Sequence, residues 1–294
     1  MKQHLVVYSS DLHGNETQYQ KLVEYALQIS AQNIIIGGDI TPKHFHHDEF
    51  IAGQRTFLKE RLPELLSPLQ KSTRKPKVFL MLGNDDAAAN QDVLDEQHRG
   101  LYTPIHGKRI RLTKEYDLVG YSYVPITPFG IKDWEKFDFS DLPAHLQEQY
   151  DERKRTNYRL DGFKTSTAGW HDFTFTVKME KNDSIQRDLA APLFTKKAQK
   201  TIYVIHTPPD RTNLDQVMNG NHVGSLALRD FIERRQPYLT LHGHIHETVD
   251  VSGNFRDTIG NTICLSSGNH NVGATLAVIS LDLSAPAKAR RIIL

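Results

Sequence analysis

The sequence predicts an α/β fold built on a largely parallel β-sheet, with antiparallel strands added in the last third of the chain. In the first half, short apolar, β-branched runs alternate with stretches of helical periodicity. This β-α-β-α-β order is typical of parallel strands joined by helical crossovers. Several of the apolar runs also end in a glycine followed by a possible metal ligand, which indicates a site at the carboxyl edge of the sheet.

Composition favours a globular protein that needs no disulfide. The chain has 294 residues, of which 38% are hydrophobic and 24% charged, and a chain of this length can bury a substantial core. Its one cysteine, Cys264, lies in an apolar run, so we expect a small buried side chain rather than a nucleophile. A single cysteine cannot form an internal disulfide, which is consistent with a reducing, cytoplasmic location.

Charge and hydropathy also limit the classes of partner. The net charge is +1, so no overall field attracts nucleic acid or an acidic membrane surface. No segment approaches the roughly 18 apolar residues of a membrane span, and the first apolar run is too short for a signal peptide. We therefore expect a small anionic substrate that is attracted locally, no membrane association and no nucleic-acid partner.

The elements of the first half follow from periodicity. We predict strands over residues 5–8, 33–36 and 78–82. A helix with an amphipathic pattern is predicted over 15–30, a second over 47–69 with an interruption near Pro63, and a short third over 86–98. Residues 108–124 are predicted to form shorter, edge-type strands.

Residues 130–198 carry the weakest periodicity. They could form an insertion or partial lid, and peripheral packing explains them equally well. Within this segment we predict a helix over 141–155, whose basic run Arg153-Lys154-Arg155 is expected to be solvated. Alternation of Phe173, Phe175 and Val177 with threonines predicts a half-buried strand.

The α/β pattern then returns, and the whole of 1–294 is predicted to be a single domain. Strands are predicted over 201–205 and 238–241, with a helix over 223–235 between them. Three further runs, 259–265, 275–283 and 290–294, predict antiparallel strands.

Five strand ends carry the residues that point to chemistry. Ligands of open α/β sheets bind just outside the carboxyl ends of the strands, and glycines there let the backbone turn and approach closely. The five segments are Ser10-Asp11-Leu12-His13, Gly37-Gly38-Asp39, Gly83-Asn84-Asp85, Ile205-His206 and Gly243-His244-Ile245-His246.

Carboxylate, amide oxygen and imidazole without thiolate form a donor set that suits Mn, Fe, Zn or Co. One ion rarely needs so many ligands, whereas two ions that share a carboxylate do. Two divalent ions against Asp11 and Asp39 leave residual positive charge, which would acidify a bridging water and attract a phosphate.

In this order, the motifs resemble those of the calcineurin-like metallophosphoesterase superfamily: Asp-x-His, Gly-Asp, Gly-Asn-His-Asp or Glu, a lone His, and Gly-His-x-His. The runs His206-Thr207-Pro208-Pro209 and Gly243-His244-Ile245-His246-Glu247 are similar to those of its small bacterial and archaeal phosphoesterases. The resemblance implies a four-layer α-β-β-α sandwich with two mixed sheets and the metal site at the carboxyl ends of the strands.

The resemblance also implies a ligand set. Asp11, His13, Asp39 and His246 would hold one metal. Asp39 would bridge to a second metal, whose other ligands would be Asn84, His206 and His244.

One residue departs from the family pattern. Asp85 stands where many members have a histidine that stabilises the transition state or protonates the leaving oxygen. An aspartate beside two cations is normally ionised and is then a poor general acid. We therefore expect weaker activity on esters with poor leaving groups. The candidate catalytic residues are Asp85, His206 and His244.

Other polar residues near the motifs have competing interpretations. His222 could face substrate or the surface, and Asn269 could border the metal site or belong to a hairpin turn. His242 lies on the alternate face of its strand, so it is expected to pack in the core or to contact a metal ligand without binding the metal itself. The loop histidines His44, His46 and His47 are expected to be solvated.

The sequence thus predicts a binuclear, metal-dependent phosphoesterase that hydrolyses phosphomonoesters or small phosphodiesters by attack of a metal-bridging hydroxide. A non-catalytic, metal-binding interaction scaffold of the same fold is the alternative. A nuclease ranks lower because no basic stripe is present.

Overall fold

The computed structural model of the chain describes residues 3–43, 46–96, 100–270 and 273–294, except for the side chain of His47. In this part, sixteen strands are present: β1 (Leu5–Ser9), β2 (Asn33–Ile36), β3 (Lys77–Leu80), β4 (Thr103–Pro104), β5 (Arg109–Arg111), β6 (Asp117–Tyr121), β7 (Val124–Pro125), β8 (Glu135–Lys136), β9 (Asp161–Ser166), β10 (Gly169–Thr174), β11 (Thr201–Ile205), β12 (Leu239–His242), β13 (Arg256–Ile259), β14 (Thr262–Ser266), β15 (Ala277–Asp282) and β16 (Arg290–Ile293).

The α-helices in the same ranges are α1 (Glu16–Gln28), α2 (Phe50–Thr56), α3 (Leu62–Lys71), α4 (Gln91–Glu96), α5 (Gln147–Thr156), α6 (Val177–Asn182), α7 (Ile185–Ala190), α8 (Pro192–Thr195), α9 (Leu226–Arg235) and α10 (Thr248–Ser252). None of these helices is both long and apolar enough to cross a bilayer.

Two six-stranded mixed sheets form the centre of the molecule. The first has the order β16-β15-β1-β2-β3-β4 and the second β13-β14-β12-β11-β6-β5. In each sheet four neighbouring strands pair in parallel. In the first sheet β15 pairs antiparallel with both β1 and β16, and in the second β13 and β5 pair antiparallel with β14 and β6. The β1–β2–β3 core of the first sheet confirms the parallel arrangement that the alternating pattern predicts.

Three apolar clusters define four layers. Tyr8, Phe79 and Met81 of the first sheet pack between the sheets against Val204 and Leu241 of the second. A second cluster joins the outer face of the first sheet to α1 and α3, and a third joins the outer face of the second sheet to α7 and α9. The fold is therefore the α-β-β-α sandwich that the resemblance implies.

Helix boundaries follow local chemistry. Asn15 caps α1 by accepting a hydrogen bond from the backbone N–H of Gln18 at 3.2 Å, which pairs one of the unpaired donors of the first turn. The interruption predicted near Pro63 is a π-helical turn, Phe57–Arg61, between α2 and α3, in which Leu62 donates to the carbonyl of Phe57. Pro63 has no N–H, so the chain keeps its helical course through a wider turn.

The structure corrects three expectations. Strand β6 is fully buried between β11 and β5 rather than at an edge. Val177 begins α6 and is exposed, because Thr176 caps that helix and ends the strand pattern at Thr174. In the C-terminal third β14 pairs antiparallel with β13, but it also runs parallel to β12.

A further correction concerns Arg153, which the charged run predicts to be solvated. It is buried, and its guanidinium contacts Asp210 at 2.6 Å and the carbonyl oxygens of Gly224 and His222 at 2.7 and 2.9 Å. Buried Asp210 requires an opposite charge, and Arg153 of α5 supplies it.

Candidate metal centre

The candidate metal ligands lie where the parallel strands of both sheets end. The loops after β1 and β2 remain paired beyond the strands, because Asp11 donates its N–H to the Gly38 carbonyl at 3.0 Å and His13 to the Asp39 carbonyl at 2.9 Å. In the second sheet, Gly243 donates to the His206 carbonyl at 3.0 Å. These contacts hold neighbouring loops at fixed spacing.

The first group of candidate ligands is compact. One ligand atom each of Asp11, His13, Asp39 and His246 lies within 4.8 Å of the others. The Nε2 atoms of His13 and His246 are 3.2 Å apart, and His246 Nε2 is 3.5 Å from an Asp11 oxygen. These four residues match the set assigned to the first metal.

A second group adjoins the first on the other side of Asp39. His206 Nε2 lies 3.4 Å from an Asp39 oxygen and 3.0 Å from Asn84 Oδ1. His244 Nδ1 lies 2.6 Å from the same Asn84 oxygen. Asp39 therefore contacts both groups, as a bridging ligand requires.

Four of these residues have left-handed backbone conformations. The φ angles are 58° for Asp11, 44° for His13, 52° for Asp39 and 69° for His244. Such angles are uncommon for residues with a β-carbon and cluster at functional sites, where the surrounding structure holds them. The backbone of the centre is thus strained at four of its candidate ligands.

Glycines are needed where the ligands crowd the backbone. A β-carbon at Gly83 would lie 2.3 Å from Asp39 Oδ1 and 2.8 Å from His206 Nε2, and one at Gly38 would lie 2.5 Å from His206 Nδ1. No side chain can occupy those positions without displacing a candidate ligand. This explains the glycines that precede Asp39 and Asn84 in their motifs.

Charge at the centre is balanced by protons on histidine when no cation is bound. Burial alone would raise the pKa of Asp11, but the contact with His246 and the charge of His206 lower it to about 2. Burial likewise opposes the charge of His206, yet Asp39 and Asp11 raise the pKa of its imidazole to about 10. Two buried carboxylates therefore draw positive charge into the site.

The donor set fits bound cations. The nitrogens of His13 and His246 converge, and the buried Nδ1 of His13 has no hydrogen-bond partner among the described residues. Oxygen and imidazole donors around two carboxylates suit divalent ions of borderline hardness. Ions bound among these donors would replace the histidine protons that otherwise balance the negative charges of Asp11 and Asp39.

Asp85 lies at the edge of the centre beside a lysine. Its carboxylate is 3.4 Å from Lys43 Nζ and 3.9 Å from His13 Nδ1, and its backbone N–H donates to Asp39 at 2.8 Å. Without cations, burial and the charge of Asp39 raise the pKa of Asp85 to about 6. Bound cations would lower that pKa.

Asp86, to which the sequence analysis assigns no role, holds two ligand loops together. It accepts hydrogen bonds from the backbone N–H groups of Ile40, Thr41 and Gly83 at 2.8–2.9 Å. It thereby joins the loops after β2 and β3. The sequence signal for this role is the position of Asp86 as the last residue of the third motif.

Asn269 plays the corresponding part for Asp11. Its buried amide donates to the carbonyls of Ser10 and Asp11 at 3.2 and 3.1 Å and to Gln18 at 3.1 Å, and its oxygen accepts from Ala277. These contacts position the first motif. A contact of Asn269 with substrate stays a prediction.

Other histidines lie outside the two groups. His222 contacts Asp215 at 2.7 Å, and its contact with substrate also stays a prediction. His242 is buried and contacts Thr207 and Thr240, which confirms the expected core position. His46 is exposed, His44 lies outside the described residues, and of His47 only the backbone is described.

A cavity of about 810 Å³ opens beside the centre. Asp39, Asn84, His244 and His246 form one end of it. Phe163 and Trp170 of the β9–β10 hairpin are among the other residues that line it. The hairpin is held in place by Thr165, which bonds to the N–H of Ala89 and to Asp133. Segment 130–198 thus contributes to the cavity wall, and a lid function stays a prediction.

Solved structures with a similar fold were found at low sequence identity. The protein TT1561 of Thermus thermophilus is 16% identical, with 99% of each chain covered and a TM-score of 0.53. A dimetal phosphatase from Danio rerio is 10% identical, with 95% of each chain covered and a TM-score of 0.51. A search of curated proteins gave no significant match.

A family model described as calcineurin-like phosphoesterase matches residues 5–248. That range contains all five motifs and both groups of candidate ligands. The chain therefore belongs to the calcineurin-like phosphoesterase family.

Proposed function

We propose that the protein is a binuclear metal-dependent phosphoesterase that hydrolyses phosphomonoesters or small phosphodiesters. The observation that supports this most strongly is the position of Asp39 between two groups of donors. Asp11, His13 and His246 lie on one side, and Asn84, His206 and His244 on the other. The dimetal character of the Danio rerio phosphatase is consistent with two ions here. Mn, Fe, Zn and Co all suit these donors.

Bound cations would supply an acidified water as nucleophile and positive charge for the phosphoryl oxygens. The chain's own contribution is rigid placement. His206 Nδ1 lies 2.8 Å from the carbonyl of Gly37, and this contact orients Nε2 toward Asp39 and Asn84. The backbone N–H of His244 donates to Asp11 at 3.0 Å, which ties the last motif to the first.

Lys43, one of the described residues that line the cavity, is a cation beside the candidate ligands. Its ammonium is part-exposed and faces both Asp85 and His13 at 3.4 Å. We expect Asp85 to hold the ammonium where it can contact a non-bridging oxygen of the substrate phosphate. In this role Asp85 acts as an ionised carboxylate, in line with its expected weakness as a general acid.

The substrate is proposed to be small and free in solution, with neither nucleic acid nor a membrane as partner. Arg153, the other basic residue of the cavity wall, is neutralised by Asp210, so the described part of the wall offers no basic track for a polyanion. A cytoplasmic location and a single domain over 1–294 stay predictions from the sequence.

Hydrolysis of p-nitrophenyl phosphate and bis-p-nitrophenyl phosphate, measured before and after chelation, tests the proposal. We expect turnover that chelation abolishes and Mn²⁺ restores. His206→Gln should lower kcat/KM at least about 100-fold, since losing a ligand exceeds the cost of losing a ligand's support. The exposed His145→Gln is the matched control and should keep activity. Metal-loaded protein with no turnover of either ester would instead favour the scaffold alternative.

A further inference from the structure

The cavity beside the metal centre is much larger than a phosphate group. Its volume of about 810 Å³ is within the range of sites that bury drug-sized ligands. Only one end is formed by Asp39, Asn84, His244 and His246. A phosphate held at that end would leave its ester group in the remaining space, so the wall chemistry there selects the alcohol.

Much of the remaining lining is aromatic and aliphatic. It includes Phe50, Phe129, Phe163, Trp170, Ile126 and Ile131. The Trp170 ring lies 5.4 Å from that of Phe50 and 6.2 Å from that of Phe163, measured between centroids. Phe163 is 37% exposed and Phe129 58% exposed. Exposed rings in a concave site are typical of surfaces that bind apolar groups.

The charges in the cavity lining are unfavourable to a second anionic group. Arg153 pairs its charge with buried Asp210 and directs its remaining donors to two backbone carbonyls. Glu247 adds a negative charge to the lining, and the other polar residues there include the neutral Asn157 and Asn221. Among the described lining residues, Lys43 is the remaining cation, and it lies at the metal end beside Asp85.

We propose that the substrate is a phosphate ester of a bulky, uncharged alcohol that carries an aromatic ring system. The ring packs on Trp170 and Phe163, while the single phosphate lies at the metal end. This assignment rests on the proposed phosphoesterase function and names its substrate class. It separates this site from one for sugar bisphosphates or nucleoside polyphosphates, whose additional charges would meet an apolar wall and Glu247.

The test compares 2-(2-naphthyl)ethyl phosphate with ethyl phosphate on the metal-loaded protein. Both are esters of primary alcohols, so the leaving groups are closely matched and the difference reports the ring. We expect kcat/KM to be at least about 50-fold higher for the naphthyl ester, from the apolar area that a two-ring system buries. Equal values for the two esters would overturn the inference and leave the phosphoesterase function intact.

Variants locate the effect in the wall. Trp170→Ala should lower kcat/KM for the naphthyl ester at least about tenfold, and Trp170→Phe, which keeps a ring, should restore most of it. Leu160→Ala is the matched control, since Leu160 is an exposed apolar residue of the same segment outside the cavity lining. A loss in Leu160→Ala equal to that in Trp170→Ala would contradict the assignment.

Binding to the metal-depleted protein separates failure of the inference from failure of the function. Titration calorimetry with 2-(2-naphthyl)ethanol should give a Kd that Trp170→Ala weakens at least about tenfold. Binding with this dependence but no hydrolysis of either ester would support the ligand class and overturn the phosphoesterase function. Absence of binding together with equal hydrolysis of both esters would overturn the inference.

Discussion

Asp86→Asn tests whether the two ligand loops are held together by one buried carboxylate. One Asp86 oxygen accepts from the N–H groups of Ile40 and Gly83, at 2.9 and 2.8 Å. The other accepts from the N–H of Thr41 at 2.8 Å and from its hydroxyl. The three backbone groups can only donate, whereas the Thr41 hydroxyl can also accept, and an amide in place of the carboxylate can accept on one side only.

The magnitude follows from the donor that would lose its partner. If the asparagine keeps its oxygen toward Ile40 and Gly83, its NH2 group can donate to the Thr41 hydroxyl, and only the buried N–H of Thr41 loses its acceptor. An unpaired buried donor costs about 1–3 kcal/mol, so the free energy of unfolding should fall by about 1–3 kcal/mol. Because Thr41 follows Asp39 by two residues in the same loop, metal affinity should fall as well.

Urea denaturation of the metal-depleted protein measures the first effect, and calorimetric titration with Mn²⁺ measures the second. Asp92→Asn is the matched control. Asp92 pairs with Arg55 at 2.7 Å on the surface, and the loss of such a pair costs at most about 1 kcal/mol. A loss below about 1 kcal/mol in Asp86→Asn, with unchanged metal affinity, would refute the reasoning.

Three further predictions concern the centre itself. Gly83→Ala should weaken Mn²⁺ binding at least about tenfold in titration calorimetry, because the added β-carbon would lie 2.3 Å from Asp39 Oδ1. Gly130→Ala is the control and should bind Mn²⁺ like the parent protein, since its added β-carbon would have no atom within 4 Å. Lys43→Met should raise KM for p-nitrophenyl phosphate about tenfold, as one contact to a charged group is lost, and Lys43→Arg should recover part of it; an unchanged KM would remove Lys43 from the site. Metal binding at about pH 7.5 should release about one proton from His206, because the pKa of its imidazole is raised to about 10 and a ligating nitrogen must lose its proton. Calorimetric titrations in buffers of different ionisation enthalpy measure the number of protons released, and no release would show that His206 is not a ligand.

The sequence was sufficient for the parallel core and for the order of the candidate ligands. Strand ends carry local signals, since an apolar run followed by glycine and a polar residue indicates both the element and the edge that it reaches. The predicted helix and strand ranges from 5 to 82 accordingly agree with α1, α3 and β1–β3 to within a few residues.

Features that depend on contacts distant in the chain could not be predicted in the same way. Arg153 belongs to a charged, weakly periodic helix, and only the proximity of Asp210 shows why it is buried. The sequence leaves Asn269 between a hairpin turn and the border of the metal site, and only the fold shows its amide bonded to the carbonyls of Ser10 and Asp11, at the opposite end of the chain. The aromatic wall has the same origin, because Phe50 and Trp170 come from separate segments that meet only in the fold.

Metal content per chain, measured by mass spectrometry of the purified protein after Mn²⁺ loading, tests the central claim most directly. A binuclear centre predicts about two ions in the parent protein, about one in His246→Ala and almost none in Asp39→Asn, because Asp39 contacts both groups of donors. A parent protein that binds no metal, or an Asp39→Asn variant that keeps the full content, would contradict the account.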